Sequence, residues 1–249
     1  MDPAVYQRMA EHEEQHWWFR GRRAVLKALL DRLDLPPEAK VLEAGCGSGG
    51  NLPLLATYGE LDAFEYDRGA RQAASARRIA SVVPGALPDN LPSGGPYDLI
   101  ALLDVLEHLE DDVASIKALA RRLTRTGSIL ITVPAGPWLW SQHDDTHHHF
   151  RRYTQTGLNE VITAAGLEVQ QIGKMNSLLF PLAVAQRLWL RFAKSGRDAD
   201  ELPPPWLNKT LEATFKGERH LVGRVPMPFG LSLWAIAGRA APQRLDVRA

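Results

Sequence analysis

The sequence contains a single cysteine, Cys46, among its 249 residues. A disulfide within the chain and a zinc site built on cysteines each need at least two thiols, so both are excluded. Cys46 stands inside a run of glycines, where a small side chain fits. We therefore interpret it as a residue of a tight turn rather than as a catalytic thiol.

The sequence also has no excess of charge of either sign. Its 29 lysines and arginines balance its 29 aspartates and glutamates, so the formal net charge is zero. Without a basic field or a basic domain, nucleic acid is not an expected partner. The first residues, Met1-Asp2-Pro3, lack the apolar region of a signal peptide, and the sequence thus favours a cytoplasmic protein.

Long hydrophobic runs are absent as well. The most apolar run, 178–185, ends at Gln186 and Arg187, far short of the roughly 20 residues that span a bilayer. Residues 187–191 could still lie on a membrane surface; a core helix or a dimer helix is the alternative. The sequence leaves open whether segment 178–192 touches a membrane or a partner, and whether the protein is a monomer or a homodimer.

Apolar segments of strand length alternate with helical patterns from residue 40 to residue 133. This alternation is typical of an α/β fold, doubly wound, with a mostly parallel sheet covered by helices on both faces. Right-handed crossovers place the carboxyl ends of the strands on one edge, where ligands bind. The predicted strands are 40–44, 61–65, 79–83, 97–102, 128–133, 167–172 and 230–237.

The chain is predicted to have three parts. Residues 1–36 would form a helical lid with a break near Gly21. Residues 37–240 would form the main domain, with a long loop after the fifth strand and a helical insertion or cap at 174–228. Residues 241–249 would form a disordered tail.

A glycine-rich turn follows the first predicted strand, with Gly45, Gly47 and Gly49 at every second position. Glycine has no Cβ, so backbone N–H groups there can approach a ligand closely. Together with Gly50, the first two glycines also satisfy the dinucleotide-binding pattern G-x-G-x-x-G. Glu43, just before the turn, discriminates between ligands, because it would repel a pyrophosphate and attract a positive amine.

With these residues placed, the chain resembles the class I S-adenosylmethionine-dependent methyltransferases over residues 38–173, and again at 229–237. The resemblance rests on the glycine turn, Glu65, the stretch from Tyr97 to His108, Thr126-Gly127 and Ala165-Gly166-Leu167. It implies a seven-stranded sheet with S-adenosylmethionine as the cofactor. The last strand would run antiparallel beside the fifth.

The resemblance also implies cofactor contacts residue by residue. The residues of the glycine turn would hold the methionine part, Glu65 the ribose hydroxyls, and Tyr66 one side of the adenine. Leu87 stands where an acidic residue often lies near the adenine, so contacts there would come from the backbone. Asp104 and Val105 would lie at the boundary between cofactor and acceptor. The residues of the turn are Glu43, Gly45, Cys46, Gly47 and Gly49.

A histidine and aspartate cluster occupies residues 143–149. Adjacent histidines point in different directions and rarely converge on one ion, so we predict no metal site from this run. Histidine titrates near neutrality and can accept a proton from a hydroxyl. The resemblance implies His149 as the general base, because related small-molecule methyltransferases often carry a histidine at the matching place before the next helix. His143 is a second catalytic candidate, and a purely structural role for His149 stays open.

Acceptor-binding residues are predicted in the same region. Trp138 and Trp140 could form an apolar wall, and Arg151 and Arg152 could bind an acidic or phosphate group as guanidinium forks. The alternative for both arginines is a set of salt bridges. The resemblance implies that His108 helps to shape the site, with a capping or core-polar role as the alternative, and Tyr153 completes the candidates. We also expect the helix bearing Trp17-Trp18 to cap this cavity.

These observations predict an enzyme that transfers a methyl group from S-adenosylmethionine to an O, N or C nucleophile. Its acceptor would be a small molecule, partly hydrophobic and anionic. Two alternatives remain: a non-catalytic cofactor-binding or scaffold protein, and an NAD-dependent oxidoreductase.

Overall fold

A seven-stranded sheet forms the centre of the molecule in a computed structural model that describes residues 12–193 and 202–240. The first residues of the predicted lid and the predicted tail 241–249 lie outside this range. The strands are β1 (Lys40–Ala44), β2 (Glu60–Glu65), β3 (Ser81–Pro84), β4 (Tyr97–Leu103), β5 (Leu123–Pro134), β6 (Glu168–Met175) and β7 (Ser232–Gly238).

The strand order is β3-β2-β1-β4-β5-β7-β6. The pairs from β3 to β5 are parallel, whereas β7 runs antiparallel to both β5 and β6. The order reverses between β1 and β4, which makes this the point where ligands bind in open α/β sheets. The predicted doubly wound fold with an antiparallel last strand is confirmed.

Helices cover both faces of the sheet. They are α1 (Trp17–Leu30), α2 (Leu52–Leu55), α3 (Arg68–Ala76), α4 (Asp112–Ala120), α5 (Gln142–Thr146), α6 (Gln155–Ala164), α7 (Phe180–Ala193) and α8 (Pro205–Gly217). Side chains of β4 alternate between two cores: Ile100 packs with α4 and α6, and Leu99 packs with α1 and α8. Burial on both faces explains why β4 reads as a continuous apolar run.

The predicted break near Gly21 is wrong, because α1 continues through this residue. A Cβ at Gly21 would lie 2.6 Å from a ring carbon of Phe215 on α8. The glycine therefore lets α8 approach α1 closely rather than interrupting the helix. The helix begins at Trp17, where His16 Nδ1 accepts a hydrogen bond from the backbone N–H of Trp18 at 3.2 Å.

The stretch after β5, predicted as one long loop, contains a 3₁₀ turn (Pro137–Leu139) and α5. The segment between β6 and β7 is helical, and its two helices lie in different places. Phe180 of α7 contacts Trp138 after β5, whereas α8 packs along α1. Among the described residues, no helix combines the length and the apolar character needed to cross a bilayer.

Candidate functional site

The turn after β1 brings three glycines into left-handed backbone conformations. Gly45, Gly47 and Gly49 have φ angles of +74°, +54° and +84°. Residues other than glycine rarely adopt this backbone conformation. A Cβ at Gly45 would lie 2.9 Å from Val105, whereas a Cβ at Gly47 would meet nothing within 4 Å. The backbone at Gly47 therefore borders open space that a ligand can enter.

Glu65, at the end of β2, holds this turn in place. One carboxylate oxygen accepts from the N–H of Gly47 and the other from the N–H of Asp67, both at 2.8 Å. Tyr66, the next residue, is 80% exposed. Glu65, predicted to bind the ribose, and Tyr66, predicted to flank the adenine, thus stand beside the glycine turn at the same edge of the sheet.

Glu43 is buried next to the turn and is only half satisfied. Its Oε1 accepts from Asn51 Nδ2 at 3.0 Å, and its Oε2 has no hydrogen-bond partner among the described residues. Burial raises the pKa of Glu43 to about 8. A buried carboxylate oxygen without a partner is costly, and a positive amine bound in the turn would relieve that cost.

Arg22 was missed by the sequence analysis and connects α1 to the site. Its guanidinium pairs with Asp104 at 2.6 Å and donates to Thr132 Oγ1 at 3.0 Å. Thr132 Oγ1 in turn donates to Asp104 Oδ1 at 3.0 Å. Asp104 has a φ of +57° at the end of β4. The arginine therefore fixes the carboxylate predicted at the boundary between cofactor and acceptor.

The segment before α1 covers the outer side of the glycine turn. Ser48 Oγ donates to Glu13 at 2.9 Å, and Arg77 forms an ion pair with the same carboxylate. Gly50 lies directly against the Glu13 carboxylate. Glu13 therefore contacts the glycine turn, although no local motif marks it.

A second group of polar residues lies beyond Asp104. Asp144 is fully buried, and its Oδ1 lies 2.9 Å from His149 Nδ1 and 2.7 Å from Arg152 Nε. Burial alone would raise the pKa of this carboxyl; the hydrogen bonds from His149 and Arg152 instead lower it below its usual range. The ionised Asp144 therefore holds the His149 ring with Nδ1 as donor.

Two residues of the turn after β4 face His149. The ring centroids of His108 and His149 are 4.7 Å apart, nearly perpendicular. Burial, and then the neighbouring His149, lower the pKa of His108 to about 3. Burial and then the charge of Asp104 raise the pKa of Glu107 well above its usual value. His149 thus packs against the turn that follows Asp104 and β4.

The remaining acceptor candidates are engaged with other protein groups. Arg152 is buried against Asp144 and donates to the carbonyl of Ala135 at 3.1 Å. Arg151 pairs with Asp112 at 2.8 Å, and the hydroxyl of Tyr153 donates to the same carboxylate at 2.9 Å. These contacts correspond to the salt-bridge alternative for both arginines and give Tyr153 a place in the core.

The aromatic candidates form an exposed surface. Trp138 is 62% exposed and its ring meets Phe180 at 6.1 Å, and Phe180 stacks on Phe229 at 5.1 Å. Trp140 donates from Nε1 to Asp145 at 2.9 Å. Leu87 is half-buried against the core on the other side of the cofactor edge. His143 lies in α5, and its side chain is outside the described part of the structure.

This strand order defines a class of enzymes that bind a nucleotide cofactor where the order of the strands reverses. The glycine turn after β1 and the acidic residue at the end of β2 are features of the same class. A methyltransferase domain family matches residues 15–172. The chain belongs to this family, the class I S-adenosylmethionine-dependent methyltransferases, whose cofactor is S-adenosylmethionine.

Individual relatives agree with this assignment. A probable S-adenosylmethionine-dependent methyltransferase of Mycobacterium tuberculosis is 30% identical over 122 residues, which are 48% of this chain and 43% of that protein. The chain thus matches less than half the length of this relative. A methyltransferase of Haloferax volcanii, solved with its Trm112 activator, shares the fold with a TM-score of 0.62 at 20% identity, and the match covers 94% of each chain.

A third neighbour was solved with a cofactor product bound. Phosphoethanolamine N-methyltransferase 2 of Haemonchus contortus, in complex with phosphomonomethylethanolamine and S-adenosylhomocysteine, has a TM-score of 0.58 at 13% identity. The match covers 86% of this chain and 52% of that one. At this identity the likeness concerns the fold.

Proposed function

We propose that the protein transfers the methyl group of S-adenosylmethionine to a nucleophile of a small-molecule acceptor that enters beside Asp104. The observation that carries the proposal is the buried Asp144–His149 pair, joined at 2.9 Å and next to the turn after β4. A histidine oriented by a carboxylate is an arrangement that supports general-base chemistry.

At the cofactor, the protein contributes by positioning the methyl group and not by activating it. The sulfonium of S-adenosylmethionine already activates its methyl group, so the protein must hold it in line with the nucleophile. Glu43 and the backbone at Gly47 would hold the amine and the methionine part, and Glu65 the ribose. Arg22 would keep the Asp104 carboxylate at the boundary with the acceptor.

His149 would remove the proton of an acceptor hydroxyl as the methyl group arrives. With Nδ1 donating to Asp144, the other ring nitrogen, Nε2, is the atom that would accept this proton. Bound S-adenosylmethionine would supply the methyl group to the acceptor oxygen and would be left as S-adenosylhomocysteine. An acceptor that is already deprotonated would need no base.

The acceptor proposed is partly apolar. Trp138, in the turn that precedes α5 in the chain, meets Phe180, and Phe180 stacks on Phe229, so the three rings offer an aromatic surface. Because Arg151 and Arg152 are paired with Asp112 and Asp144, we do not extend the proposal to an anionic group on the acceptor.

The test is transfer of label. The protein is incubated with methyl-labelled S-adenosylmethionine and a fractionated cell extract, and labelled products are identified by mass. We expect a labelled small molecule that forms more slowly with the Glu65→Gln variant at a limiting concentration of S-adenosylmethionine. Cofactor binding without any labelled product would favour the non-catalytic binding protein instead.

A further inference from the structure

Three potential metal ligands converge behind Asp104, and they come from two separate parts of the chain. Glu107 and His108 lie in the 3₁₀ turn after β4 (Leu106–His108), and His149 follows α5. One ligand-type atom from each residue lies within 4.8 Å of the others. We call this set the Glu107–His108–His149 cluster.

The two histidines of the cluster are held by groups behind them. His149 Nδ1 meets the buried carboxylate of Asp144 at 2.9 Å, and the backbone of His148 contributes a hydrogen-bond effect on the pKa of His108. His148 has a φ of +54°, a conformation that few non-glycine residues adopt. Metal-binding histidines almost always donate their second ring N–H to a carboxylate or a backbone carbonyl.

Glu107 supplies an oxygen that the described residues leave unsatisfied. The residue is 1% exposed, and its Oε2 is buried without a hydrogen-bond partner within residues 12–193 and 202–240. Its backbone carbonyl accepts from the N–H of Phe150 at 2.8 Å, which ties the turn after β4 to the segment carrying His149. A buried, unpaired carboxylate oxygen is costly unless a cation or donor meets it.

We propose that the Glu107–His108–His149 cluster binds one divalent transition-metal ion, with zinc as the expected ion. Two imidazole nitrogens and one carboxylate oxygen form the ligand set of open zinc sites and of non-haem metal sites. Magnesium is disfavoured because it prefers an all-oxygen set. Zinc–ligand distances of 2.0–2.2 Å place tetrahedral ligands about 3.3 Å apart, so the three side chains close around the ion on binding.

The site goes beyond the proposed methyl transfer. It takes one ligand, His149, from the described side chains of the histidine run, and its other two ligands come from the turn after β4. Three protein ligands leave coordination positions for an acceptor oxygen. The ion would then lower the pKa of a bound hydroxyl. The hydroxyl could lose its proton in this way without the His149 imidazole acting as the base.

The test is calorimetric titration of metal-free, full-length protein with Zn²⁺ alone, in the absence of acceptor. We expect one ion bound per chain. Glu107→Gln keeps the shape of the buried side chain and should weaken binding at least about 100-fold, as should His149→Asn. Asp144→Asn should weaken it about 10- to 100-fold, the effect of losing a group that orients a ligand.

The matched control is His148→Asn, which removes an exposed imidazole beside the cluster and keeps a residue that tolerates positive φ. It should bind Zn²⁺ as the original protein does, and the thermal unfolding of each metal-free variant verifies its folding. No stoichiometric binding, or binding that survives Glu107→Gln and disappears in His148→Asn, would overturn the proposal. Because no methyl acceptor is used, this failure would leave the proposed function standing.

Discussion

Glu43 combines burial with a carboxylate, which makes it both costly to the free protein and suited to a ligand amine. It is 1% exposed and one of its oxygens is unpaired among the described residues. A carboxyl whose pKa rises on folding takes up protons in the folded state, so its contribution to stability is lost as pH rises. The cost of burying such a carboxyl in the free protein is offset only when a ligand binds.

The first prediction concerns the stability of Glu43→Gln. The window for Glu43 runs from its ordinary pKa of 4.5 to its folded value of about 8, and stability should fall across it in the original protein. Without ligand, Glu43→Gln should be more stable at pH 8 by about 1–3 kcal/mol, and a few degrees in Tm. Its affinity for S-adenosylhomocysteine should fall.

The measurement is thermal unfolding between pH 5 and pH 8, with Glu38→Gln as the control because Glu38 is exposed. Parallel curves for Glu43→Gln and the original protein would show that burial of this carboxyl costs nothing.

His149 is predicted to act on the acceptor and not on the cofactor. His149→Ala should lower turnover by roughly 10²- to 10⁴-fold, while the affinity for S-adenosylhomocysteine stays unchanged. The measurement is the turnover of the variant and of the original protein at one pH, with the acceptor identified by labelling, beside calorimetry with S-adenosylhomocysteine.

His220→Ala is the control, since His220 is exposed on the turn after α8. Full turnover in His149→Ala would return His149 to a structural role. Turnover that disappears in metal-free protein and returns with Zn²⁺ would assign the proton to a metal-bound hydroxyl.

At the scale of elements, α1 and α8 form a pair on one face of the sheet, and through Arg22 that pair is part of the site. Phe215 of α8 is 1% exposed and packs on Gly21, and Arg20 of α1 pairs with Glu212 at 2.9 Å. The backbone N–H of Trp17 donates to Asn208 at 2.9 Å. Displacing α1 would therefore move Arg22 away from Asp104.

The element-scale prediction is that Gly21→Ala destabilises the protein although alanine favours helices. The new methyl group would meet the Phe215 ring at 2.6 Å, and such overpacking costs about 1–3 kcal/mol. Gly217→Ala at the end of α8 meets nothing within 4 Å and should be neutral or slightly stabilising.

Urea unfolding of both variants compares them directly. Equal stability for Gly21→Ala and the original protein would mean that α8 does not approach α1 as closely as the structure has it.

At the scale of the whole molecule, the sheet followed from the sequence because its signal is local. Each strand is a short apolar run between turns, and the glycines of the turn after β1 stand close together in the chain. The predicted strand limits were less accurate. β5 begins at Leu123 rather than at residue 128, because polar residues at its start conceal the strand in the sequence pattern. Its pairing with β4 is irregular in the same place, where the register shifts between Tyr97 and Leu99.

The parts that sequence reasoning missed depend on contacts between distant segments. Arg22 reaches Asp104, Glu13 reaches Ser48, and Asp144 rather than an acceptor engages Arg152. No periodicity or motif marks these pairs, since each needs the folded sheet to bring two segments together. The histidine run drew attention to His149, but its partners Glu107 and His108 follow β4 and meet it only in the fold.

The central claim is that the edge formed by the glycine turn and Glu65 binds S-adenosylmethionine, and calorimetry with S-adenosylhomocysteine and NAD tests it most directly. We predict tighter binding of S-adenosylhomocysteine, weakened by about 1–3 kcal/mol in Glu65→Gln and unchanged in Glu60→Gln, whose side chain is exposed at the start of the same strand. Tighter binding of NAD, or an affinity that Glu65→Gln leaves intact, would contradict the account.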